Sequence, residues 1–178
     1  MAVHLQEVGF SITFAASMVA LVTMAATIGL LVAGVVGDRV GKRLVSAVAA
    51  SGHGLALVLL ALAQAPWLVV VSVVLHGFCW GLREPLVQAM RVDYYGRALF
   101  VGLEGMVRVF VGIGMVLGPI VVALMREQSG DYQVGLLFLA MVGLAGAALL
   151  ALAYPPRSTR SDSLGVVRLG AHVHAEAE

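Results

Sequence analysis

A chain of 178 residues that is 61% apolar and only 12% charged, with mean hydropathy +0.99, cannot clothe itself as a water-soluble domain does, because such domains carry about a quarter charged residues. Lipid is the solvent that fits. A net charge of +1 supplies no basic field for nucleic acid, and the lone Cys79 excludes an internal disulfide or a cysteine-based metal cluster.

The chain starts with His4 and Glu7 in place of a basic leader, and its first apolar run is too long for a cleavable signal. About 20 apolar residues are needed to cross the roughly 30 Å hydrocarbon layer. Five stretches qualify: 11–36, 44–63, 67–90, 99–125 and 134–154. None shows the period-2 polarity of a barrel strand, so the expectation is an all-α membrane bundle of five transmembrane helices. The links 37–43, 64–66, 91–98 and 126–133 are short, which makes successive helices antiparallel. Pro155 and Pro156 stop the last helix, and the polar segment 156–178 is expected to be a disordered tail.

Basic residues set the orientation. Arg39, Lys42 and Arg43 lie in the first link, Arg91 and Arg97 in the third, and Arg157, Arg160 and Arg168 in the tail, all on one side. Facing them is Arg126 alone, offset by Glu127 and Asp131. The expectation is a multi-pass integral protein of a plasma or inner membrane, with the two basic links and the C-terminus in the cytoplasm. That places the N-terminus outside without a signal, and five helices cannot form a two-fold repeat. Both features are those expected of a partial chain.

The most specific local pattern is Gly34-Val-Val-Gly-Asp38-Arg39-Val-Gly41-Lys42-Arg43. A tight turn between two membrane helices needs a residue able to take positive φ, and Gly41 supplies it. Asp38 could accept from backbone N–H groups at a neighbouring helix N-terminus. The plainer reading is a basic loop with incidental glycines.

Here the sequence resembles the major facilitator superfamily, whose cytoplasmic loop motif follows the second helix and, more weakly, the eighth. The resemblance extends to His4–Ser11, similar to the end of a seventh helix and its outer link. It extends also to Arg91-Val-Asp93-Tyr94-Tyr95-Gly96-Arg97, similar to the loop between the tenth and eleventh helices. Gly112-Ile-Gly114-Met-Val-Leu-Gly118-Pro119 is similar to the eleventh helix. The branch it most resembles is that of monocarboxylate and oxalate/formate antiporters. This implies helices eight to twelve, from the C-terminal six-helix bundle, over residues 1–155. It also implies a missing N-terminal helix bundle as partner, so that the chain alone would not transport.

Four charges fall inside predicted spans: Arg83, Glu84, Glu104 and Arg108. Each costs roughly 2.5–3.5 kcal/mol near a helix centre, so each needs a partner or a wet cavity. Glu104 and Arg108 are one turn apart on one face and can pair. Arg108 lies about 15 Å from the link end of its span, near midplane, where secondary transporters bind substrate. It is the first candidate for an anion contact, with Glu104 tuning it or carrying a proton. The plainer alternative is a neutralised pair that locks helices together. Arg83 and Glu84 precede Pro85, which should kink the helix. Arg83 could meet Glu104 across a helix contact, and a substrate or gating role is the alternative to a structural pair. Thr27 shares a face with Thr23 and could line a cavity, although bonding back to the helix is the commoner use of such hydroxyls.

Gly77 and Gly81, and again Gly114 and Gly118, have the spacing that lets membrane helices approach closely; Gly112 and Pro119 belong to the second group. His53 and His76 could carry protons but are more simply buried hydrogen-bonding groups, and His172 and His174 form too short a tract for a metal. There is no phosphate loop, zinc motif or serine triad, so no enzyme, metal or cofactor is expected. The reading that follows is secondary active transport of a small organic anion such as a monocarboxylate, with a proton or counter-substrate as coupling partner. The alternative is a non-transporting membrane scaffold or subunit that packs against another helix bundle.

Overall fold

The computed structural model describes residues 9–154, and every described element is helical. The expectations for the first eight residues and for the tail 156–178, including its charges and histidines, lie outside the described residues. Helix α1 (Ile12–Val40) starts where Ser11 accepts a hydrogen bond from Phe14 N–H at 3.2 Å. Helix α2 (Lys42–Ala61) follows after Gly41 alone. Helix α3 runs Pro66–Ser129, with the proline in the first turn, where its missing N–H costs nothing. Gly130 then closes it by donating to the Arg126 carbonyl at 2.8 Å. Helix α4 (Gln133–Leu152) starts after Asp131 Oδ1 accepts from Gln133 N–H at 2.9 Å. All four helices are long and apolar enough to cross a membrane.

Four helical elements are thus present among the described residues, and the third joins two of the five expected spans through Gly96. The links read at 37–43 and 91–98 are largely helical; their polarity marks helix ends that outrun the hydrocarbon layer, not loss of helix. Only one residue in each leaves helical geometry. Gly41 has φ 98° and ψ 123°, and Gly96 has φ 75° and ψ 164°, regions that side chains other than glycine avoid. Pro85 and Pro119 lie inside α3, yet the sole departure from helical dihedrals within it is at Gly96. The residues around Pro85 keep helical dihedrals.

Gly96 reverses the chain. A straight 64-residue helix would be about 96 Å long, three times the apolar thickness of a bilayer. On an unbroken helix Glu84 and Arg108 would stand about 36 Å apart, but their charged ends are 3.5 Å apart. Helix α3 is therefore a hairpin, with arm A before Gly96 and arm B after it.

Arm A is the centre of the bundle. Between helices in lipid there is no hydrophobic gain, so close association rests on packing, and small residues permit it. Helix α1 offers a stripe of such residues, Ala15, Ala25, Gly29, Ala33 and Gly37, all buried. A Cβ at Gly77 would strike the Val22 carbonyl, and one at Gly81 the Ala26 carbonyl; one at Gly29 would strike the Phe78 carbonyl. On the other flank α2 packs on arm A, with Gly52 against Cys79, and on α4, with Gly54 against Leu144. Arm B touches α4 where Gly135 meets Val122. Nothing among the described residues lies within 4 Å of a Cβ at Gly112, Gly114 or Gly118, so the packing role expected there, and at the neighbouring exposed Pro119, has no counterpart in this bundle.

The Gly41 turn, the Gly96 turn and the end of α4 share one end of the bundle. Lys42 Nζ pairs with Asp93 Oδ2 at 2.6 Å, the Arg43 guanidinium lies 4.1 Å over the Tyr154 ring, and Tyr94 donates to the Ala153 carbonyl at 3.5 Å. At the opposite end Phe10, Phe14, Leu60, Ala63 and Val69 close a core cluster. The basic links are thus brought to a common side, as the threading from charge requires.

Candidate functional site

The charges read in the spans converge across the α3 hairpin. Glu104 is one turn before Arg108 on arm B, and Oε1 accepts from Arg108 Nε at 2.8 Å. Its other oxygen accepts from Arg91 Nη1 of arm A at 2.5 Å. Arg108 also turns Nη2 toward Glu84 Oε1 of arm A at 3.5 Å. Glu84 accepts in addition from Gln88 Nε2 at 3.4 Å and lies 4.0 Å from Arg83 Nη2. The expected meeting of Arg83 with Glu104 does not occur. Arg91 takes that place, because the hairpin brings the end of arm A to the start of arm B, where Glu104 lies.

The network holds three guanidinium groups and two carboxylates, one positive charge in excess. Its members are unequally exposed. The Glu104 side chain retains 18% of its accessible surface, Glu84 42% and Arg108 56%. Glu104 is clamped from both arms, whereas the outer face of Arg108 is open.

Beside this network a cleft of about 490 Å³ opens between α1 and arm A. Val22, Thr23, Ala26, Thr27 and Leu30 form one wall, and Trp80, Gly81, Glu84, Pro85 and Gln88 the other. Pro85 has no N–H to offer the Gly81 carbonyl one turn earlier, so that acceptor loses its helical donor at the cleft wall. Thr27 donates its hydroxyl to the Thr23 carbonyl at 3.0 Å and Thr23 to Val19 at 3.3 Å, so these side chains line the cleft as acceptors. A small apolar-walled cleft with a few convergent polar groups is the usual form of a small-molecule site. Here the Gln88 amide lies inside, and the Arg108 guanidinium reaches Glu84 of the wall at 3.5 Å.

Of the residues singled out by sequence, Glu84 and Thr27 line the cleft, and Arg108 reaches Glu84 from its rim. Glu104 stands behind Arg108, and Arg83 lies beside Glu84. Trp80, Gln88 and Arg91 were missed. Gln88 carried a signal, since it follows Glu84 by one helical turn; Arg91 was masked by its assignment to a link.

The loop pattern forms a second site at the end of the bundle. Gly37, Asp38, Gly41, Lys42 and Arg43 line a depression with Asp93 and Tyr94. Gly37 packs against Leu86. The N-cap position of α2 is Gly41, which has no side chain to cap with, and Asp38 is exposed on the last turn of α1. Gly34 and Arg39 are exposed on the last turns of α1. His53 and His76 face each other across α2 and arm A with ring centroids 4.0 Å apart. Among the described residues no group of three or more potential ligands could hold a metal.

A family model described as Major Facilitator Superfamily matches residues 1–171 of the chain. No curated protein matches it.

Proposed function

The chain belongs to the major facilitator superfamily, and from that premise we propose that it binds and helps to move a small organic anion, a monocarboxylate being the simplest fit, as part of a secondary active transporter. Membrane transport is the business of this family, and four apolar helices make the chain a multi-pass integral membrane protein. The observation that supports the finer reading is Arg108: a guanidinium within a span, anchored by Glu104 at 2.8 Å, more than half exposed, and 3.5 Å from Glu84 of the cleft wall. A desolvated carboxylate recovers its lost water bonds from such a fork. Glu84, Arg83 and Thr27 stand around the same cleft in this reading, with a proton or counter-substrate as coupling partner.

Substrate sites in this architecture lie between two helix bundles near midplane. The described helices supply one wall, so we expect binding from this chain and transport only with a second bundle beside it. The positive-inside bias puts the shared end of the Gly41 and Gly96 turns, and the C-terminus, in the cytoplasm. The test is binding to the detergent-purified chain. Trp80 sits in the cleft wall, and with Trp67→Phe it becomes the sole tryptophan and a fluorescence reporter. Saturable change with sodium lactate over sodium chloride of equal ionic strength is expected, and its loss in Arg108→Gln. Undiminished binding in that variant would remove Arg108 from the site.

A further inference from the structure

Arg108 is shared by two carboxylates that hold it very differently. Glu104 binds Nε at 2.8 Å and is itself gripped by Arg91 at 2.5 Å, with little of its side chain exposed. Glu84 approaches Nη2 at the longer 3.5 Å, lies in the cleft wall, and keeps two further partners, Gln88 at 3.4 Å and Arg83 at 4.0 Å. One partner positions the guanidinium. The other rests on the face where a substrate carboxylate would arrive.

We infer that Glu84 is a tethered competitor for the substrate: its carboxylate holds Arg108 at 3.5 Å, and an incoming monoanion displaces it toward Arg83 and Gln88. This rests on the anion reading of the same cleft and adds the residue that sets its affinity. The balance of charge favours a monoanion, because the network carries one positive charge in excess and a single carboxylate neutralises it. Displacement does not orphan Glu84, since Arg83 and Gln88 lie on its own arm within about one turn. A guest must first win Arg108 from Glu84, so apparent affinity falls by the fraction of molecules in which Arg108 is free. If Glu84 holds Arg108 in about nine molecules of ten, affinity is reduced about tenfold.

Two variants separate competition from simple charge. Glu84→Gln removes the charge and the competitor together. Glu84→Asp keeps the charge but shortens the side chain by one methylene, which takes it out of reach of Arg108. Lactate titrations of the detergent-purified chain, read by Trp80 in the Trp67→Phe background, should show both variants binding about tenfold more tightly than the parent. Circular dichroism and gel filtration in detergent would select for comparison only variants as helical and monodisperse as the parent. Should Glu84→Asp bind like the parent while Glu84→Gln binds tightly, the effect is one of net charge and the competitor role fails. Equal affinity in all three also overturns it, while leaving Arg108 as an anion contact. Absence of saturable lactate binding in the parent and both variants overturns the anion reading itself.

Discussion

The two arms of α3 carry the same small-residue spacing and use it in opposite ways. On arm A, Gly77 and Gly81 are pressed against α1 so closely that a Cβ at either would strike a backbone carbonyl. On arm B, Gly114 and Gly118 meet nothing within 4 Å among the described residues, and most of the arm is exposed. A spacing pattern says only that close approach is permitted; which surface accepts it depends on what the topology places opposite. Arm A is therefore the rigid spine, and arm B presents Arg108 from a face the other helices leave open.

The largest effect should come from breaking the closed seam. Gly81→Leu has no flexible neighbour to yield, since the Ala26 backbone is in the way, and the cost should reach or exceed the upper end of the roughly 1–3 kcal/mol usual for overpacking. Gly114→Leu should cost almost nothing by the same thermal-unfolding assay in detergent. Equal losses from the two would erase the contrast between the arms.

Next in size are the turns. Gly96→Ala and Gly41→Ala place a Cβ at φ 75° and 98° and should each lower stability by about 1–3 kcal/mol. Helix-interior glycine-to-alanine changes at the exposed Gly105 or Gly112 should be neutral or slightly stabilising. A chain that tolerated alanine at Gly96 as well as at Gly105 would not be reversing there.

The network predicts an order among its members. Glu104→Gln takes the carboxylate from Arg91 and leaves Arg108 only its longer contact with Glu84, whereas Arg91→Gln leaves Glu104 still paired with Arg108. The midpoint of thermal unfolding should therefore fall further in Glu104→Gln than in Arg91→Gln. Smallest of all is Lys42→Ala, which removes a pair whose Asp93 side chain is half exposed, and it should cost no more than about 1 kcal/mol.

Much of the fold was legible because lipid imposes simple rules. Spans must be long, apolar and hydrogen-bonded within themselves, and cationic ends must gather on one side. These rules located the helical segments and the shared end of the basic links. They could not distinguish a link from a helix end. Asp38, Arg39, Arg91 and Asp93 signal where lipid stops, and helical hydrogen bonding continues past that point, so the links read at 37–43 and 91–98 shrink to single glycines, Gly41 and Gly96. The i, i+4 pair of Glu104 and Arg108 could be read because both partners share a helix. The Glu84–Arg108 contact and the Arg91 clamp depend on the Gly96 reversal and on the register of two arms, which a single sequence does not specify. For the same reason the cleft wall of Trp80 and Gln88 became visible only once α1 lay against arm A.

Every functional statement depends on arm B folding back beside arm A, since only then does Arg108 meet Glu84. Sidedness tests this directly. In a Cys79→Ser background, Gln64→Cys and Asp131→Cys mark the two ends of the hairpin. Sealed vesicles of known orientation would be labelled with a membrane-impermeant maleimide. The account predicts that both cysteines react from the same face of the membrane, opposite to Arg97→Cys at the turn. Labelling of Gln64→Cys and Asp131→Cys from opposite faces would mean that α3 does not reverse at Gly96, and would contradict it.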